Sequence, residues 1–168
     1  MKQIIIIHGA PEEDVFRDIT KPSPSNSNWI PWLQKQLILK DIISVAPEMP
    51  KSYDPIYEDW VRVFEQFNID EETILVGHSC GGGFILRYLT EHPEIKLKKI
   101  ILVARWFDLD PKEFSTNFFD FEIDKNLTES INTNIFYSTD DEICKKSIEI
   151  IEKNLPNAIY YRFEDKEH

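Results

Sequence analysis

The stretch "ETILVGHSCGGGFILRYLTEH", residues 72–92, decides the fold. Its first part, "TILVG" (73–77), is a short unbroken apolar run, the pattern of a strand buried on both faces. Its later part, "GGFILRYLTEH" (82–92), reads as a helix that ends before Pro93. Between them lie Gly77, His78, Ser79, Cys80 and Gly81, a G-x-S-x-G pattern at a strand-to-helix turn. Such a turn holds its middle residue in a strained backbone and projects the serine oxygen above the sheet. Glycines two before and two after keep side chains out of the turn. The helix N-terminus offers unpaired N–H groups and a partial positive charge, which makes the Cys80 N–H a candidate oxyanion donor while its thiol packs. The blander reading is a packing turn with an inert serine. Phosphate-binding readings fail: no lysine stands in the motif as a Walker loop needs, and the glycine register is not that of a dinucleotide fingerprint.

Working outward, apolar runs alternate in period. Strands are expected at 3–7, 42–46, 73–77, 98–104, 133–138 and 158–164. Helical spacing places Trp29, Trp32, Leu33 and Leu37 on one face, Tyr57, Trp60, Val61, Phe64 and Phe67 on a second, and Cys144, Ile148, Ile151 and Leu155 on a third. Strands alternating with helices predict a mainly parallel sheet with helices on both faces. Function in such sheets sits at the carboxyl ends of the strands. The stretch "TKPSPSNSN" (20–28) reads as a surface loop. The connection 105–132 fits neither period and is too short for a large lid; it is a candidate pocket wall, and its Trp106, Phe107, Phe114, Phe118, Phe119 and Phe121 read as ordinary core or pocket-wall residues.

The 168 residues suit a single domain, 1–168, and the formal net charge is −11. That charge argues against nucleic acid and against anionic membranes. Cys80 and Cys144 form no C-x-x-C pair, so no zinc or redox motif is present, and neither metal nor cofactor is expected. The four isoleucines near the N-terminus are too few for a signal segment or a membrane span, which points to a cytoplasmic protein.

A serine needs a base to take its proton. Four histidines are available: His8, His78, His92 and His168. His78 adjoins Ser79, but the turn points neighbouring side chains apart. His92 ends a helix. His8 follows the first strand, where a His-Gly pair shapes the loop that donates the second oxyanion N–H, making the backbone of Gly9 and Ala10 the useful part. His168 follows the last strand and is the expected base. Asp140 and Asp141 follow the penultimate strand; one carboxylate would orient the imidazole, and either could instead cap the next helix. The chain order Ser79, Asp141, His168 is that of α/β-hydrolases.

The segments "IIIIHGA", "NWIPWL", "EDW", "LVGHSCGG", "ILVA", "STDDEI" and "FEDKEH" resemble, in order and over nearly the whole chain, a small α/β-hydrolase family of serine hydrolases that includes the retinoblastoma-binding serine hydrolase. The resemblance implies a reduced three-layer fold without a large lid. It implies Ser79 as nucleophile, Asp141 as acid and His168 as base, with esterase-like or aminopeptidase-like activity. Two departures stand out. Lys145 occupies the place of the proline that usually closes the acid turn, which keeps Asp140 in play. Family members also continue past the histidine with a further helix, so an extended chain is expected to be the more active form. The expected function is cleavage of a small-molecule ester, thioester or amide through an acyl-enzyme on Ser79. The alternative is a non-catalytic module that binds a protein partner on the same scaffold.

Overall fold

A computed structural model describes residues 3–104, 114–142 and 145–166. The strands are β1 (Gln3–Ile7), β2 (Ile43–Val45), β3 (Ile74–His78), β4 (Lys99–Val103), β5 (Asn132–Ser138) and β6 (Ile159–Phe163). The helices are α1 (Glu13–Arg17), α2 (Ile30–Ile38), α3 (Tyr57–Phe64), α4 (Cys80–Glu91), α5 (Leu127–Ser130) and α6 (Lys145–Asn154). The strands form one sheet in the order β2-β1-β3-β4-β5-β6, with every neighbouring pair parallel. All six expected strands are present, each within a residue of its expected ends.

Alternation along the strands separates two cores. Ile4, Ile6 and Val76 pack with Ile30 and Leu37 of α2 on one face. Ile5, Ile7, Leu75, Ile100 and Leu102 pack on the other face with Trp60 and Phe64 of α3, Phe84 of α4 and Ile151 of α6. The two-sided cover explains why β1 is apolar at four consecutive positions. The sheet reverses its order between β1 and β3, because β2 lies outside β1 and the later strands run the other way. A crevice opens at the carboxyl ends at such a reversal, between the loops that follow the two strands. His8–Ala10 and His78–Ser79 are those loops.

Two expectations about packing are corrected and an open one is decided. Trp32 does not share the inner stripe of α2 and is 64% exposed, because Ile30 and Leu37, seven residues apart, set the buried face and Trp32 lies about 200° round from Ile30. The helix carrying Tyr57, Trp60 and Phe64 ends at Phe64, so Phe67 packs against the core from a turn instead. In the 105–132 connection, Phe114 and Phe118 belong to the core: Phe118 is fully buried, with its ring centroid 4.9 Å from that of Trp60. Phe119 and Phe121 pack against that core. Trp106, Phe107 and Cys144 lie outside the described residues.

Candidate active site

Ser79 adopts φ 51°, ψ −127°, a backbone region that β-carbon sterics make costly for any residue but glycine. Two backbone bonds hold it there. Its N–H donates to the Val103 carbonyl of β4 at 3.0 Å, and its carbonyl accepts the Gly82 N–H at 2.9 Å. The strain is over-determined by the crossing of β3 into the twelve-residue helix α4.

The glycines are required by space, since none of them has positive φ. A Cβ on Gly77 would lie 2.6 Å from Gly82 Cα, and one on Gly81 would lie 2.5 Å from the carbonyl oxygens of both Ile7 and His8. The helix start therefore sits directly on the end of β1. A Cβ on Gly9 would meet Ser79 Cβ at 2.8 Å. The loop after β1 thus passes within contact of the serine.

That loop is held by His8, which is buried at 1% exposure. Its Nε2 accepts the Met49 N–H at 2.9 Å, and its Nδ1 donates to the Gly9 carbonyl at 2.8 Å. One acceptor and one donor nitrogen define a neutral ring. Burial lowers its pKa from the usual 6.5, outweighing the hydrogen bond to Gly9 and the nearby Glu48 carboxylate, which raise it. Glu48 Oε1 stands 3.5 Å from Nε2, but that nitrogen is already an acceptor, so the contact is not an ion pair. His8 supports the site from behind and does not line it. Cys80 is fully buried; burial raises its thiol pKa, while the backbone N–H groups of Ala10 and Cys80 favour the thiolate in the opposite sense. The N–H groups of Ala10, in the loop after β1, and of Cys80, at the start of α4, thus both approach the Cys80 sulfur.

His78, Ser79, Gly9 and Ala10 line one cleft of about 240 Å³. The His78 ring meets the Trp29 ring edge-on at 5.6 Å, which makes it a wall. Asp141 lies two strands away at the end of β5, buried at 2% exposure. Asp140 is exposed and accepts a short hydrogen bond from the Ser138 hydroxyl. The same Ser138 Oγ accepts the Lys166 N–H at 3.2 Å, tying the segment after β6 to the turn that carries both aspartates. His168 lies outside the described residues.

The pattern that defines the serine hydrolase family matches residues 22–151. The chain belongs to the serine hydrolase family. YdeN of Bacillus subtilis (strain 168) is 32% identical over 151 residues, covering 84% of this chain and 72% of YdeN. The crystal structure of the ydeN gene product aligns with a TM-score of 0.80 at 28% identity, over 100% of this chain and 88% of that one. An esterase from Exiguobacterium antarcticum shares the fold, with a TM-score of 0.65 at 15% identity over 100% of this chain and 85% of that one. The protein is therefore a serine hydrolase family member with the α/β-hydrolase fold.

One part of this family member's candidate site was not foreseen. The cleft is walled by Pro11, Val15, Phe16, Pro22, Pro24 and Asn28, not by the aromatics of 114–121. Residues 20–28 read as a solvated loop because their composition is polar and proline-rich. The available signal was position: the segment follows β1 directly, at the sheet's reversal point. Among the described residues no helix is long and apolar enough to cross a membrane.

Proposed function

We propose that the protein hydrolyses a small ester, thioester or amide through an acyl-enzyme on Ser79. The observation that carries this reading is the Ser79 backbone at φ 51°, ψ −127°, wedged between Gly77 and Gly81 at the start of α4. A structural turn has no use for such strain, whereas a nucleophile raised over a helix N-terminus does. Ser79 Oγ attacks the substrate carbonyl carbon while His168 takes its proton. The oxygen that becomes negative is held by the N–H groups of Cys80 and Ala10. Collapse breaks the bond to the leaving group, which receives the proton from His168. Water then repeats the sequence, releases the acid and restores the serine.

Asp141 is the residue that orients His168, on two grounds. It is buried while Asp140 is exposed, and the Asp140 carboxylate is engaged by Ser138. Reach also suits His168 as the base. Lys166 is tied to Ser138 at the end of β5, and the two residues on to His168 add at most about 7 Å of chain. The imidazole and serine side chains make up the rest of the two strand spacings, about 10 Å, from β5 to β3.

The test is release of nitrophenol from p-nitrophenyl acetate. Ser79→Ala is expected to abolish turnover. Asp141→Asn should lower kcat by about 10⁴-fold, since the amide stabilises the wrong imidazole tautomer. Asp140→Asn should cost far less. Turnover unchanged in Ser79→Ala sinks the reading, and the reverse order of the two aspartates reassigns the acid.

A further inference from the structure

We propose that residues 11–28 select the acyl group, with Val15 and Phe16 of α1 and the prolines at 11, 22 and 24 forming a short apolar pocket beside Ser79 for small, uncharged acyl chains. This rests on the hydrolase reading above and assigns the substrate class to it. The first argument is direction. The general acid must reach the leaving group, so the leaving group faces the strand ends at β5 and β6, where Asp141 and Lys166 lie. The acyl chain is left with the opposite side of Ser79, toward β1. There the cleft is bounded by Ala10, Pro11, Val15 and Phe16.

The second argument is size. At about 30 Å³ per small liquid-like group, the 240 Å³ cleft has room for roughly eight non-hydrogen atoms. That covers an acetyl or butyryl acyl group, whereas an octanoyl group exceeds it. Phe16 is the largest side chain lining it.

The third argument is charge. None of the described residues that line the cleft is Asp, Glu, Lys or Arg. The same segment exposes Glu12, Glu13, Asp14 and Asp18 against Arg17, which is paired with Glu13, and Lys21, in a chain of net charge −11. An anionic acyl group finds no counter-ion among the lining residues and a repelling surround.

The wall is also mounted separately from the core. Helix α1 buries no residue. The ties of α1 and of the proline-rich turn run to the 47–54 loop: the Phe16 and Tyr53 rings lie 5.0 Å apart, Arg17 donates to the Tyr53 hydroxyl at 2.9 Å, and the Ser25 N–H donates to Glu48 at 3.1 Å. Phe16 can therefore be recut without opening either core.

The test compares kcat/KM for p-nitrophenyl acetate, butyrate, hexanoate and octanoate, and for the anionic p-nitrophenyl hemisuccinate. Wild type should fall by about tenfold or more from butyrate to octanoate, and by a similar factor for the hemisuccinate against butyrate. Phe16→Ala should shift the best chain longer by about two carbons, and Phe16→Trp should restrict it toward acetate. A flat wild-type profile, or one that neither variant moves, overturns the assignment. Ser79-dependent turnover with an indifferent Phe16 sinks only this proposal. Turnover that survives Ser79→Ala sinks the hydrolase reading beneath it.

Discussion

At the scale of single residues, three glycines do most to position Ser79. Gly81 packs against two β1 carbonyls, so a methyl group there must push the start of α4 away from the sheet. Gly81→Ala is expected to destabilise the fold at the upper end of about 1–3 kcal/mol, read as a fall in the urea midpoint. Gly9→Ala meets only the Ser79 side chain at its shortest contact. It should displace the nucleophile by a fraction of an ångström and cost about 10²-fold in kcat/KM, with a smaller change in midpoint. Equal effects of both substitutions on stability would contradict this division. The G-x-S-x-G spacing made Gly77 and Gly81 legible in the sequence. Gly9 was legible only as part of a His-Gly pair, because its constraint comes from a residue 70 positions away.

At the scale of elements, the loop after β1 and the 47–54 loop form one assembly joined through His8. Its two hydrogen bonds require the neutral ring, and Trp60 Nε1 clamps the same loop by donating to the Pro50 carbonyl at 2.9 Å. The unfolded chain takes up a proton on this histidine near the usual 6.5, whereas the folded chain resists it. Between those two pKa values the unfolded state binds more protons, so stability is full above about 6.5 and falls as the pH drops toward the lower folded value. Removing the side chain leaves the buried Met49 N–H without its acceptor, a loss of about 1–3 kcal/mol. His8→Ala should therefore be less stable at about pH 7.5 and lose less than wild type on going to about pH 5.5. Urea denaturation at the two pH values reads this out, and an unchanged or larger pH dependence in the variant would contradict it. Sequence could not reveal the arrangement, since the partner of His8 is a backbone N–H 41 residues on. Nor could it reveal that α1 and the proline-rich turn flank the serine, because their polar composition is what any exposed loop carries.

At the scale of the whole molecule, period-2 and period-3.6 patterns were enough for strand count, helix order and parallel topology. The central strands β1 and β3 are buried on both faces, the outer strands β2 and β6 are not, and α3 carries one apolar stripe while α4 is buried nearly all round. The parts that escaped depend on which helix turn faces the sheet, as at Trp32, or on where a long connection folds back, as at Phe118. Arg87 shows the same limit: it is 7% exposed, pairs with Glu91 at 2.9 Å and donates to the Asn117 and Phe118 carbonyls, so a charged side chain inside α4 anchors the aromatic segment to the core. All these features serve to hold one strained serine at the reversal point of the sheet, and labelling by a fluorophosphonate tests that claim most directly. Proteolysis and mass mapping of the labelled protein should place a single adduct on the peptide containing Ser79, absent from Ser79→Ala. An unlabelled wild-type protein, or an adduct that persists in Ser79→Ala, would contradict the account.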